Sequence, residues 1–224
     1  MHLTEFIEQR FKNKPDSVLE IGFSEITDIA GFDCQNLRVL RLHANQITKV
    51  DDFDCKHLIE LELDANQIRS LAHFNCKTLK VLSLCENRIT SIAHFDCKNL
   101  VDINLSENEI ASIDDFDCKN LQELSLGANP IKSIHAFDPK NLEYLNLDYC
   151  EIDYVAPEVE EKLLKILSPV NDVKGKWGEK LEQMRERRQN LGWTPGFFES
   201  TAGAWEGELR REQPTEYEQR EEWL

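Results

Sequence analysis

The chain has 224 residues, with 42 acidic and 26 basic side chains that give a formal net charge of −16. A surface this acidic repels the phosphate backbone of nucleic acids and anionic membranes, so we expect neither as a partner. No apolar run approaches the ~20 residues that span a bilayer, and the first residues lack the basic-then-apolar order of a secretion signal.

A short helix is predicted at the start of the chain, in the segment LTEFIEQRF. Thr4 is a suitable N-cap, and apolar residues such as Leu3 and Ile7 recur at helical spacing. We expect residues 1–15 to form a capping helix for the part of the chain that follows.

A six-letter phrase, FDCKNL in its most regular form, recurs through the next part of the chain and always ends in leucine. These leucines are 21 residues apart, and each copy continues into the pattern LxxLxLxx[NC]xI. A fixed period of this length is typical of a solenoid in which each repeat forms one coil. The alternation in LxLx predicts a short strand with its leucines turned inward. The final leucines are Leu37, Leu58, Leu79, Leu100, Leu121 and Leu142.

An asparagine column follows the strands at the same period, and Cys150 ends it. A buried amide can bond backbone groups where the chain turns, which a leucine could not do. Inward-facing isoleucines and phenylalanines repeat in the same way, and neighbouring coils must stack to bury them in one continuous core. The column consists of Asn45, Asn66, Asn87, Asn108 and Asn129.

This pattern resembles the leucine-rich repeat family, in the short-repeat form seen in the phosphatase-one regulatory subunit and the internalins. The resemblance covers residues 16–155, with residues 18–32 as a degenerate first coil. It implies an α/β solenoid, a horseshoe of about seven coils with a parallel strand face and helical caps at both ends. It implies little about activity, because one fold carries many functions.

Five cysteines share one column of the repeat, and Pro139 takes its sixth place. Strand-like stacking would hold their side chains parallel and about 4.8 Å apart, which suits the twisted geometry of a disulfide poorly. The spacing also matches no paired-cysteine zinc motif. We therefore interpret the column as small buried hydrophobes, whose free thiols indicate a reducing, cytoplasmic compartment. The column consists of Cys34, Cys55, Cys76, Cys97 and Cys118.

Helices are predicted again after the repeats. Pro157 can open a capping helix over residues 156–169. In the charged extension 170–224, an apolar stripe that includes Leu181 and Met184 favours a helix folded back on the solenoid, with a partner-binding helix as the alternative. Four large aromatics among glycines then predict a segment that docks on this chain or on a partner. They are Trp193, Phe197, Phe198 and Trp205.

Candidate catalytic and metal sites are few. Cys85 shares an outward column with His43 and Asp64, but Asp64 lies between the other two. His43 and Cys85 are therefore about 10 Å apart, beyond hydrogen-bond reach. A second column is interpreted as an exposed polar ladder rather than a metal site. It consists of Asp52, His73, His94 and Asp115. We predict no catalytic, cofactor-binding or metal-binding residue.

The outward strand positions and their adjoining edge carry nine acids and one arginine. Interior columns must be apolar, but nothing in the fold requires these positions to be acidic. Ordinary solubility is one interpretation. The other is a docking surface for a basic partner, because strand faces of solenoids are binding surfaces and charge of one sign speeds association. The residues are Glu20, Arg41, Glu60, Glu62, Asp64, Glu86, Asp102, Glu107, Glu123 and Asp148.

We expect a non-catalytic adaptor or scaffold that binds a basic protein partner through these residues and the four tail aromatics. Two alternatives stay open. One is a tight inhibitor of a basic enzyme such as a nuclease or toxin, and the other is a bacterial effector that acts inside a host cell. The partner's identity and the oligomeric state are not predicted.

Overall fold

The computed structural model of the chain describes residues 1–10, 17–32, 34–51, 53, 56–74, 77–93, 95, 98–114, 116, 120–166 and 176–190. The helices are α1 (Leu3–Arg10), α2 (Pro157–Ile166) and α3 (Lys176–Asn190). Seven strands form the long sheet: β1 (Val18–Glu20), β2 (Val39–Arg41), β3 (Glu60–Glu62), β4 (Val81–Ser83), β5 (Asp102–Asn104), β6 (Glu123–Ser125) and β8 (Tyr144–Asn146). Strands β7 (Ser133–Ile134) and β9 (Tyr154–Val155) pair separately.

All strands of the long sheet are parallel, and each pairs with the strand of the next coil. The register joins residues exactly one repeat apart, so that Leu40 lies beside Leu61 and Leu61 beside Leu82. The central residue of each strand is buried while its two neighbours point outward. The predicted solenoid with a parallel strand face is therefore confirmed.

The asparagine column closes each coil onto the one before it. The Asn87 amide donates to the carbonyls of Leu63 at 2.9 Å, Leu84 at 3.1 Å and Cys85 at 3.2 Å. Its Oδ1 accepts from the Ile68 N–H at 3.0 Å. A single buried side chain thus satisfies backbone groups of two coils that no strand ladder reaches.

The residue before each asparagine has a left-handed backbone, with φ between 52° and 63° from Ala44 to Tyr149. This turn points the preceding carbonyls at the asparagine amide. Left-handed geometry costs a non-glycine residue roughly 1–2 kcal/mol, and the ladder bonds offset that cost. None of these left-handed residues is a glycine, so the sequence gives little warning of the turn. The residues before the asparagines are Ala44, Ala65, Glu86, Glu107 and Ala128, and Tyr149 holds the same place before Cys150; Phe23 and Glu25 of the first coil are also left-handed.

Phenylalanines stack on the opposite side of the coils. The rings of Phe53 and Phe74 are 6.5 Å apart, and those of Phe74 and Phe95 are 6.2 Å apart and nearly parallel. All three are buried. They extend the leucine and isoleucine columns into one core that runs through every coil.

Helices cover both ends of this core. At the N-terminal end, Leu3 and Phe6 of α1 are buried. Thr4 is not the N-cap, because the helix already includes it and its N–H donates to Nδ1 of His2. At the other end α2 buries Leu163, and α3 adds Leu181, which is 0% exposed. The extension helix therefore packs on the solenoid, as its apolar stripe favours.

Cys34 corrects the prediction of an all-thiol column, because it is disulfide-bonded. The prediction assumed parallel side chains, but Cys34 lies between turns and outside any strand, where no ladder holds neighbouring side chains parallel. Cys85 and Cys150 are free. The partner is therefore one of the other column members, Cys55, Cys76, Cys97 and Cys118, which lie outside the described residues. A column that includes a disulfide no longer indicates a reducing compartment.

We predict that Cys34 is joined to Cys55. Cys55 stands one repeat further along, whereas the next cysteine is two coils away, about 10 Å and beyond the Cα separation that a disulfide spans. Peptide mapping by mass spectrometry without reduction should recover one linked pair containing both residues. Recovery of Cys34 as a free, alkylated thiol would contradict the prediction.

Candidate protein-interaction face

At the N-terminal end of the strand face, Arg41 neutralises much of the local negative charge. Its guanidinium donates to Glu60 at 2.5 Å and to Glu62 at 2.9 Å, and it lies 3.8 Å from Glu20. The hydrogen bonds to Glu60 and Glu62 raise the pKa of Arg41, so its guanidinium stays ionised. Three of the nine acids are therefore already paired within the chain.

Asp64 continues the face but is also occupied. Its Oδ1 accepts from the Ser83 hydroxyl at 2.6 Å and from the Cys85 N–H at 2.8 Å. It therefore holds β4 in place rather than standing free. His43 makes other contacts: its ring meets Phe23 edge-on at 5.6 Å and leaves no room for a Cβ on Gly22. Asp64 thus bonds the backbone of Cys85 rather than His43, whose ring contacts Phe23.

Toward the C-terminal end, two carboxylates stand side by side with no cation beside them in the described part of the chain. Asp102 and Glu123 are direct register partners on β5 and β6. Partial burial, and then the charge of Glu123, raise the pKa of Asp102. Among the described residues, neither carboxylate has a lysine or arginine within ion-pair distance. Like charges in this position destabilise a sheet.

We predict that Asp102→Asn stabilises the fold at neutral pH. The folded-state pKa of Asp102 lies above its ordinary 3.8, so ionisation costs more in the folded chain than in the unfolded one. That penalty is present above the raised pKa and disappears as the pH falls toward the ordinary value. Melting temperatures should show a gain at neutral pH that vanishes near the ordinary carboxyl pKa. Glu109→Gln, at an exposed position off the strands, is the control, and a gain independent of pH would contradict the prediction.

A second acidic group lies on the edge of the face. The Sγ of Cys85 and the carboxylates of Glu86 and Glu107 lie within 4.8 Å of one another. Partial burial of Cys85, followed by the charges of Asp64, Glu107 and Glu86, raises the pKa of its thiol to about 11. The thiol is therefore protonated at neutral pH, which is the opposite of what a nucleophile or a metal ligand requires.

We predict that Cys85 reacts slowly with iodoacetamide at neutral pH. The thiolate is the reactive form, so the rate should keep rising until the pH passes about 11. The same residue in the urea-unfolded chain is the control and should level off near its ordinary pKa of 9.0. Mass spectrometry of the Cys85 peptide follows the reaction in both states. Equal pH profiles in the folded and unfolded chains would rule the prediction out.

The structure thus places the ten predicted face residues on one sheet and its edge. Some of the acids are paired within the chain, and others have no cation among the described residues. Asp148 follows β8 at the end of the face. The four aromatics of the predicted partner site, Trp193, Phe197, Phe198 and Trp205, lie outside the described residues, as do Asp52, His94 and Asp115 of the polar ladder. His73 of that ladder is exposed. Within the described part of the chain, no helix is long and apolar enough to cross a bilayer.

The stacked coils, the asparagine ladder and the parallel sheet define a repeat protein of the solenoid class. The family model for leucine-rich repeats, in its two-copy form, matches residues 35–76, 77–118 and 98–139. The repeats of this chain are therefore leucine-rich repeats. Proteins built from them are generally protein-interaction modules and typically have no enzymatic activity of their own. No curated protein sequence matches the chain.

Two solved structures are similar in fold. A leucine-rich repeat protein of Leptospira interrogans has 24% identity and a TM-score of 0.49 and covers 67% of this chain and 47% of its own. The functional domain of InlJ from Listeria monocytogenes, described as including a cysteine ladder, has 21% identity and a TM-score of 0.49. It covers 61% of this chain and 31% of its own. The chain thus spans less than half the length of either.

Proposed function

We propose that the chain is a non-catalytic adaptor or scaffold that binds a basic protein partner on its strand face. The observation that carries the proposal is the Asp102–Glu123 pair. Two carboxylates on directly opposed positions cost stability, and no described cation relieves them. A cationic group of a partner placed between them would relieve that repulsion. The pair therefore costs stability in the free chain and would strengthen the binding of a cation.

The centre of the proposed site lies in the C-terminal half of the face. Glu60 and Glu62 are held by Arg41, and their negative charge is partly cancelled. Glu86, Glu107 and Glu123 are exposed and have no described cation. Lysine or arginine side chains of a partner would therefore meet more unpaired charge on the coils that carry β4, β5, β6 and β8 than on the coils that carry β2 and β3.

Affinity capture with matched variants tests this proposal. The wild-type chain is immobilised, captured proteins are identified, and the strongest binder is purified. Its dissociation constant is then measured for Asp102→Lys with Glu123→Lys, and for the control Glu109→Lys with Glu151→Lys. Both variants change the charge equally, but the control acids are exposed positions that follow the asparagine column and lie off the strands.

The binder should be basic, and the face variant should weaken it about tenfold or more, mainly through slower association. The control should change the dissociation constant much less, and the difference between the variants should shrink in high salt. Equal effects of both variants would mean that only net charge matters and would contradict the proposal. Retained activity of a captured enzyme supports the adaptor, whereas abolished activity with very tight binding supports the inhibitor.

The Glu60→Lys with Glu62→Lys variant separates binding from stability. It removes both short ion pairs of Arg41 and places three cations together. We expect this variant to lower the melting temperature, unlike a change at free surface acids. The cytoplasmic location inferred from the sequence stays a prediction, and the disulfide of Cys34 removes the column of free thiols from its support.

A further inference from the structure

The long sheet has an open edge at its N-terminal end, because β1 pairs only with β2. The carbonyl of Ser17 accepts from β2 at 3.1 Å, and the N–H of Ile21 donates to β2 at 2.8 Å. The backbone groups of alternate residues in a parallel strand point to the same side. Val18 and Glu20 therefore direct their N–H and carbonyl groups away from β2, where no described residue bonds to them. These groups form the outer edge of β1.

The described part of the N-terminal cap does not pair with this edge. The N–H of Leu3, at the start of α1, donates instead to the carbonyl of Asp28 at 2.9 Å, beyond the turn that follows β1. Val18 is 53% exposed, whereas Val39, its register partner in the next coil, is half-buried. Unpaired groups on an exposed sheet edge are a template for an added strand. The outer edge of β1 therefore has the backbone pattern that strand addition requires.

The charge beside this edge favours a basic residue in the added strand. Three carboxylates surround Arg41 and leave two negative charges in excess. Glu60 and Glu62 hydrogen-bond the guanidinium. Glu20 lies 3.8 Å from it, beyond hydrogen-bond reach, and its side chain is 56% exposed. A lysine or arginine on the other side of Glu20 would offset the excess charge.

The strand β2 shows which side chains fit beside β1. Its valine, leucine and arginine pair in register with the valine, leucine and glutamate of β1. The leucine of β2 is buried, while its valine and arginine lie on the outward face. An added parallel strand with the same order, two apolar residues and then a basic one, would present matching side chains to the outer edge of β1.

We propose that the outer edge of β1 binds an extended segment of a basic partner by strand addition. An apolar side chain lies beside Val18 and a lysine or arginine beside Glu20. Phe23, which is 82% exposed in the turn after β1, adds a ring that suits apolar or cationic groups. Mutual repulsion between chains of net charge −16 disfavours a second copy at this edge. The surface is separate from the Asp102–Glu123 pair and shares with the proposed function only the charge of the partner.

An NMR titration with two peptides of equal charge tests the proposal. The peptide LEVLRLH places its arginine beside Glu20, and LRVLELH places a glutamate there. LEVLRLH should shift the amide signals of Val18 and Glu20 in the ¹⁵N-labelled chain and bind about tenfold more tightly than LRVLELH. Equal affinities, or no shift at β1, would overturn strand addition. Shifts confined to β5 and β6 would also overturn it, while leaving the proposed function in place.

The variant Val18→Pro tests the backbone bonds. Proline removes an N–H that points away from β2, so the ladder between β1 and β2 keeps its bonds. This variant should bind LEVLRLH about tenfold more weakly, whereas Val18→Thr, which keeps the N–H and nearly the same shape, should change the affinity much less. Equal affinities of the two variants would overturn the proposal.

Two further measurements complete the test. Should Val18→Pro lower the melting temperature, LEVLRLH methylated on the N–H of its central leucine replaces it, because this peptide probes the wild-type chain. Undiminished binding of the methylated peptide would overturn strand addition. Sedimentation of the chain alone at increasing concentration should show no dimer that depends on this edge. A dimer that Val18→Pro dissociates would assign the edge to a second copy and overturn the basic partner.

Discussion

Replacing Asn87 with leucine should lower the free energy of unfolding by about 1–3 kcal/mol. Leucine has the same number of side-chain heavy atoms but no polar ones. It cannot accept from the buried Ile68 N–H, which loses its partner, and it cannot donate to the carbonyls of Leu63 and Leu84. These carbonyls each keep one bond, from Asn66 and Asn108. Because the bonds join two coils, the loss affects the interface between them as well as the turn itself.

Urea denaturation measures the effect, with Asn99→Leu as the matched control. Asn99 is exposed and makes one amide bond, to the carbonyl of Lys77 at 2.6 Å. Its replacement should cost well under 1 kcal/mol, because water can satisfy the carbonyl. Similar midpoints for the wild type and Asn87→Leu would show that the column does not hold the coils together.

Leu181→Ala should lower the free energy of unfolding by about 2–5 kcal/mol. Leu181 is fully buried although it belongs to the charged extension rather than to the repeats. Its side chain joins the core beside α2, so the substitution leaves a cavity at the end of the solenoid. The last coil and both C-terminal helices should then lose hydrogen-exchange protection before the central coils do.

Arg185→Ala, on an exposed position of the same helix, is the control and should change stability by less than about 0.5 kcal/mol. Both variants keep the helix, since alanine is the best helix former. A Leu181→Ala chain as stable as the control would mean that α3 is not part of the folded unit.

The repeats were predictable because their signals are written several times over. One period places Leu40, Leu61 and Leu82 in the same column, and a column of large apolar residues at that period is expected to stack inward. The role of the asparagines followed from the same argument, since a polar column inside a core must satisfy backbone groups. Even Cys150 fits this logic, because its thiol donates to the Leu126 carbonyl at 3.3 Å, as the asparagines donate to theirs.

The candidate site was predictable only in outline. Alternation identified the outward acids, but it could not show that Arg41 reaches across to both Glu60 and Glu62. Such a pairing depends on the rotamers of side chains on two strands rather than on their spacing. As a result, spacing alone does not separate the acids that Arg41 pairs from Asp102 and Glu123, which have no cation among the described residues.

Two other features had no sequence signal of their own. The disulfide of Cys34 depends on local geometry outside the strands, which the spacing of strands does not predict. Lys140 on a coil and Lys162 and Lys165 on α2 line one common cleft, and a cap helix has no fixed position in the repeat. Only the folded chain brings these residues together.

An NMR titration of the ¹⁵N-labelled chain with a decalysine peptide locates the cation-binding surface without a known partner. Low-salt shifts should concentrate on β5, β6 and the edge that carries Glu86 and Glu107, and should be smaller at Glu60 and Glu62, which Arg41 already holds. Asp102→Asn with Glu123→Gln should weaken the binding and remove those shifts. Shifts spread evenly over all exposed acids, or centred on Glu60 and Glu62, would contradict a partner site in the C-terminal half of the strand face.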